Sequence, residues 1–166
     1  MADKIKRSDF ALFLDTTPAG TSTTWSRMGK GITTGAVDYG AEVTTETYIH
    51  EDTASSSVDS YAFQLGVQQT AIKGDAVFEF IDKLRRARAK GADLETNLLL
   101  VYIYTGTGTQ SITYEAEEQP VTIQFDSFGG DGGSNNVINY TLLGNGDAVI
   151  GTASITEGVP TFTPAS

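Results

Sequence analysis

The chain has 166 residues, a net charge of −10, 39% hydrophobic residues and no cysteine, which suits one domain with a core of its own, spanning residues 1 to 166. The lack of cysteine excludes disulfides and thiolate metal sites and fits a reducing compartment. No run of about 18 apolar residues predicts a membrane span, and the polar residues 1 to 9 do not read as a signal peptide.

Residues 1 to 8 form a polar N-terminal arm. Residues 9 to 14 (Asp-Phe-Ala-Leu-Phe-Leu) read as a first strand, followed by a turn at Thr16-Thr-Pro18-Ala-Gly20. A second strand is expected from Thr24 to Met28, anchored by Trp25, and glycines 29, 31, 35 and 40 then punctuate a weakly alternating, kinked stretch. Residues 41 to 60 are rich in threonine, serine and acids and predict a long polar loop. A loop of that length in a compact domain points to binding, a lid, or a segment that orders against a partner.

Phe63, Leu65 and Val67 alternate with Gln64, Gly66 and Gln68, the period of a strand with one buried face. After Gly74 the period changes. Val77, Phe80, Ile81 and Leu84 form one stripe on a helix over about residues 75–90, with Gly74 or Asp75 as N-cap and Gly91 placed to close it. Acids near its start and Arg85, Arg86, Arg88 and Lys90 near its end suit the helix dipole. Burying the stripe is worth roughly 1.5 to 3 kcal/mol per residue at most, enough to hold the helix against a sheet. The apolar run from Leu98 to Tyr104 predicts a strand covered on both faces, one of them by this helix.

Farther on, residues 111 to 114 and 121 to 125 alternate as two strands around the acidic piece Glu115-Ala-Glu-Glu118, and Gly129 to Asn136 breaks the chain. Residues 138 to 155 predict a hairpin turning at Gly144-Asn-Gly-Asp147, and residues 156–166, with two prolines, a C-terminal tail. Many short strands with one helix give a mainly β fold: a β-sandwich or flattened barrel with one flanking α-helix.

Charge is segregated. Residues 31 to 72 carry six acids and no lysine or arginine, residues 91 to 166 carry nine acids and no base, and every base lies at or before Lys90. For any single one of these charges, a solubility surface with dipole-matched arginines on the helix is as good an account as a functional role.

Candidate chemistry is sparse. His50, the sole histidine, lies beside Glu51, Asp52 and serines 55 to 57, but a flexible loop does not hold triad geometry. Glu115, Glu117 and Glu118 would serve a glycosidase only if carboxylates faced across a cleft. The Gly129–Asn136 segment lacks the order of a calcium loop, Gly106-Thr-Gly108 does not extend to a dinucleotide fingerprint, and no P-loop is present. The basic helix end lacks interleaved aromatics for sequence-specific nucleic-acid binding. No catalytic, metal or cofactor-binding residue is assigned, and no enzymatic activity is expected.

Trp25-Ser-Arg-Met-Gly-Lys-Gly-Ile32, the loop Tyr48-Ile-His-Glu-Asp52, Lys73-Gly-Asp75, the helix Val77-Phe-Glu-Phe-Ile-Asp82 and the strand Leu99-Leu-Val-Tyr102 together resemble the major tail proteins of long-tailed bacteriophages, over roughly Trp25 to Tyr104. The resemblance implies a structural tail tube subunit that assembles into hexameric rings, stacked into the hollow tube through which DNA passes into the host. It implies a virion protein assembled in the bacterial cytoplasm, with tape measure, tail terminator and baseplate proteins as partners and no cofactor or membrane. On this reading Tyr48, Ile49, His50, Glu51 and Asp52 are inter-ring loop candidates, and the two termini are candidate arms. A lumen that lets DNA pass should not neutralise phosphates, so Glu115, Glu117 and Glu118 are lumen-lining candidates and Arg85, Arg86 and Arg88 face acidic surface on a neighbouring subunit. Tubes of contractile tails, bacteriocins and secretion systems share this architecture. A carbohydrate-binding β-sandwich and a carboxylate hydrolase are the alternatives from other classes.

Overall fold

The computed structural model describes residues 2–166. In chain order the elements are β1 (Phe10–Asp15), β2 (Trp25–Arg27), β3 (Val37–Asp38), β4 (Glu42–Glu46), β5 (Ser55–Ser60), β6 (Gln64–Thr70), α1 (Ala76–Arg86), β7 (Glu95–Thr107), β8 (Thr113–Gly129), β9 (Val137–Gly144), β10 (Val149–Thr156) and β11 (Val159–Pro164). The fold is mainly β, with the one α-helix among the described residues packed on a large antiparallel sheet of order β2-β1-β7-β8-β9-β6-β3.

β1 and β7 are apolar at successive positions because both faces of the sheet are covered there. One set of side chains, Leu12, Leu14, Leu98 and Leu100, joins Leu65, Val121, Ile123, Tyr140 and Leu142 under Val77 and Ile81 of α1. The alternate set, Ala11, Phe13, Leu99 and Val101, meets Ala153, Ile155 and Phe162 from β10 and β11. The molecule is thus two cores that share a pair of strands. The predicted helix stripe takes its place in the first core, with Val77 and Ile81 buried and Phe80 and Leu84 packed against them. β6 buries Leu65, Val67 and Gln69 in strict alternation, an extension of the expected pattern into a polar residue.

Four expectations are corrected. The acidic piece of residues 115 to 118 does not separate two strands: β8 is one continuous strand of 17 residues, because Glu115 to Glu118 pair with β7 on one side and β10 on the other. Residues 138 to 155 are not a hairpin. β9 pairs with the second half of β8 and β10 with the first half, so the two run end to end along one long partner. The expected C-terminal tail contains β11, in register with β10 from Gly151↔Pro164 to Thr156↔Val159; its prolines are tolerated because this is an edge strand. The expected long loop of residues 41 to 60 is a two-stranded ribbon, β4 paired with β5.

The helix also ends earlier than expected. Asp75 caps its start, accepting from the Phe78 N–H at 2.9 Å, but Arg86 is its last residue and Arg88, not Gly91, provides the left-handed stop at φ 54°. The Ala89 N–H donates to Leu84 O at 3.2 Å and the Arg88 N–H to Arg85 O at 3.1 Å, the paired bonds of a Schellman stop. Gly91 opens a short 3-10 turn that leads into β7.

Candidate interaction surfaces

The ribbon is built from serine, threonine and valine, residues that suit a pleated backbone, and it buries none of them: every residue of β4 and β5 is exposed. Across it Thr45 and Ser56 hydroxyls meet at 2.9 Å, and the Thr44 hydroxyl donates to Asp59. Its root is tight. The Ala62 N–H donates to Tyr39 O at 2.8 Å, and a Cβ on Gly40, at φ +50°, would stand 2.7 Å from Ala62 O, so glycine is required there.

At the tip Tyr48 stacks over His50 with ring centroids 6.1 Å apart. The Tyr48 hydroxyl donates to Glu46 Oε2 at 2.7 Å, and that bond, with a smaller contribution from burial, raises the phenol pKa. His50 Nε2 lies 3.6 Å from Glu51 Oε1 with its side chain 75% exposed. The serines belong to β5, and none donates to the imidazole. Ile49 is fully exposed. Tyr48, His50 and Glu51 thus stand against one another at the tip, beside the exposed Ile49 and Asp52.

The three arginine candidates separate. Arg85 is held within the chain: it donates to Asp82 Oδ1 at 2.5 Å and lies 4.0 Å over the Phe128 ring of β8. Arg86 bonds the other Asp82 oxygen at 2.9 Å, with its side chain 69% exposed, and Arg88 is exposed. Only the latter two present cations to a neighbour.

The three glutamates also separate. Successive residues of a strand face opposite ways, so Glu115 and Glu117 share one face and Glu118 takes the other, with Ala116 of the second core. Glu117 accepts from the Tyr102 hydroxyl at 2.6 Å, and burial followed by this bond drives the phenol pKa far up. Glu118 is half-buried, and desolvation with the nearby Asp15 charge raises its carboxyl pKa. Only Glu115 and Glu117 can line a common surface.

Two open grooves flank these features. The first, about 970 Å³, lies between the ribbon root and β10; it is lined by Tyr39, Tyr61, Phe63 and Ile150 and carries Asp59, Glu117 and Asp147. Tyr39 and Tyr61 flank the 41–60 stretch at both ends, the one sequence signal that would have marked this groove. The second, about 860 Å³, lies between α1 and the turn of residues 16 to 20, with Pro18, Ala19, Phe80, Lys83, Leu84 and Ala87 among its lining. Among the described residues no cluster of three or more His, Asp or Glu side chains is placed to hold a metal, and no helix is long and apolar enough to cross a membrane.

No protein-family model matches the sequence, and no curated protein matches it. Among solved structures, a chain from the tail of an empty GTA particle with C6 symmetry superposes with a TM-score of 0.63 at 11% identity, over 89% of this chain and 98% of that one. A chain of the six-fold symmetrised baseplate of the anti-feeding prophage aligns at 14% identity over 90% of this chain and 97% of that one, with a TM-score of 0.47. The first likeness, spanning nearly all of both chains, shows a shared fold.

Proposed function

We propose that this chain is the structural subunit of a phage-type tail tube, forming hexameric rings that stack into a hollow tube through which DNA passes into the host. The fold shared with a chain of a C6-symmetric tail carries this reading. Two features support it. The ribbon of residues 42 to 60 exposes Val43, Tyr48, Ile49 and Val58, and a lone two-stranded ribbon is marginally stable in water without a partner. Residues 91 to 166 carry no base, so strands from this half can face DNA without releasing its counterions.

In this reading Glu115 and Glu117 face the lumen, the tip Tyr48–Asp52 reaches the next ring, and Arg86 and Arg88 meet acidic surface on a neighbour. The tape measure, tail terminator and baseplate proteins are its further partners. The protein acts in the virion tail after assembly in the host cytoplasm and is not an enzyme. Negative-stain electron microscopy over a range of protein concentrations tests the reading: rings or hollow tubes are expected. A persistent monomer, also in the presence of tail initiator components, would overturn it.

One observation favours a second reading. Tyr39 and Tyr61 are both exposed in the first groove beside Glu117 and Asp147, an aromatic face with carboxylates that suits a sugar ring. A glycan array distinguishes the two: millimolar or tighter binding lost on Tyr61→Ala, without assembly, favours the carbohydrate module.

A further inference from the structure

Gln119 of β8 is 6% exposed and lines the groove at the ribbon root. Its Nε2 donates to Pro120 O at 3.0 Å and to Gly146 O at 2.9 Å. Carbonyl oxygens only accept, so these two bonds fix which end of the amide is nitrogen and turn Oε1 away from them. That oxygen accepts no hydrogen bond among the described residues. It is not sealed off either, since Glu51 Oε2 is the one enclosed side-chain atom without a partner among them. Gln119 therefore offers the groove an open acceptor from an otherwise buried side chain, and such a group is expensive to leave unpaired.

Two residues earlier on the same face of β8, Glu117 lines the groove as well. Its Oε1 is taken by the Tyr102 hydroxyl at 2.6 Å, which leaves Oε2 open. Asp147 is exposed at the groove and forms no side-chain hydrogen bond or ion pair among the described residues. Asp59 adds a third charge, although its oxygens already accept from the Thr44 and Ser57 hydroxyls. The rest of the wall is apolar or aromatic: Tyr39 stands edge-on to Tyr61 and to Phe63 with ring centroids 6.5 Å apart, and Ile150 is exposed beside them. No lysine, arginine or histidine lines the groove.

Open acceptors, unpaired carboxylates and aromatic faces together call for a cation that brings its own N–H groups. A primary ammonium has three donors and no acceptor, and aromatic faces attract it further. A neutral ligand would leave the carboxylates uncompensated. We propose that this groove binds an aliphatic diamine. One ammonium donates to Gln119 Oε1 and Glu117 Oε2, the methylene chain lies along Tyr39, Tyr61 and Ile150, and the second ammonium pairs with Asp147. The site is complete within one chain and does not depend on tube assembly.

Titration calorimetry of the full-length chain with 1,5-diaminopentane at physiological ionic strength should show saturable binding at one site. Its bis-trimethylammonium analogue has the same charges and no N–H, and should bind about tenfold more weakly. Glu117→Gln, which still accepts from Tyr102, and Asp147→Asn should each weaken diamine binding by about tenfold, and Tyr61→Ala by about threefold. Asp93→Asn, which removes an acid outside the groove, should leave it unchanged. Equal binding of the two cations would overturn the proposal, and so would a loss with Asp93→Asn as large as with Glu117→Gln, because the diffuse negative charge of the chain would then account for the binding. Absence of saturable binding would overturn it too. Binding of a neutral oligosaccharide without the diamine would replace the amine site with the carbohydrate reading.

Discussion

Gln69 sits where the alternation of β6 would place a hydrocarbon, and it is fully buried. Its amide donates to Lys30 O at 3.1 Å and Asp75 Oδ2 at 2.8 Å and accepts from the Tyr140 hydroxyl at 3.2 Å, tying the core to the cap of α1. Gln69→Leu should lower stability by about 1–3 kcal/mol by orphaning these groups, with part of the loss recovered by Tyr140→Phe, as read by urea denaturation. Arg88 holds a left-handed conformation that costs a non-glycine residue about 1–2 kcal/mol, so Arg88→Gly should raise the thermal midpoint of the monomer by a few degrees. Glu118 has a folded pKa above its ordinary 4.5, so the native state binds that proton more tightly than the unfolded chain. Its contribution to stability is therefore full below the unfolded pKa and is lost as pH rises through the folded pKa. Glu118→Gln should be more stable than the parent at pH 7, with the difference vanishing below about pH 4, as measured by denaturation across pH.

At the level of elements, the ribbon is separable from the core. None of its strand residues is buried, and its root is fixed by the Tyr39–Ala62 backbone bond. Replacing residues 43 to 58 with a short glycine-serine turn should leave monomer stability within about 1 kcal/mol, since loop closure depends weakly on length. The same change should abolish assembly in light scattering. β10 and β11 are the opposite case. They cover Phe13 and Leu99, so the segment that reads as a tail is largely structural, whereas residues 2 to 6, before the 3-10 turn at Arg7–Asp9, form no helix or strand.

Over the whole molecule the charge of −10 governs what the surface meets. A chain of this balance should not retard double-stranded DNA in a mobility-shift assay at low salt, because free phosphates find too few cations to release their counterions. Retardation at about 50 mM salt would contradict the passive-lumen reading. Five of the eleven lysines and arginines are gathered at one helix end, and Asp82 neutralises part of them through Arg85 and Arg86. What remains for a partner is Lys83, Arg88 and Lys90, with Arg86 still largely exposed.

By itself the sequence determined the elements whose patterns are local: the period of two at Phe63 to Val67, the helical stripe with its Asp75 cap, and the doubly buried run of β7 are each set by neighbouring side chains and backbone. The segregation of charge was legible for the same reason, since it is a property of order along the chain. Tertiary structure alone decided what depends on a distant partner. Glu115 to Glu118 are continuous strand because β7 and β10 flank them, and β9 and β10 are not a hairpin because β8 is long enough to hold both. Polar residues 42 to 60 pair across a ribbon with no hydrophobic alternation to announce it. Arg85 was legible as a cation but not as an occupied one, because Phe128, which it covers, lies 43 positions away and is brought beside it only by the packing of α1 on the sheet.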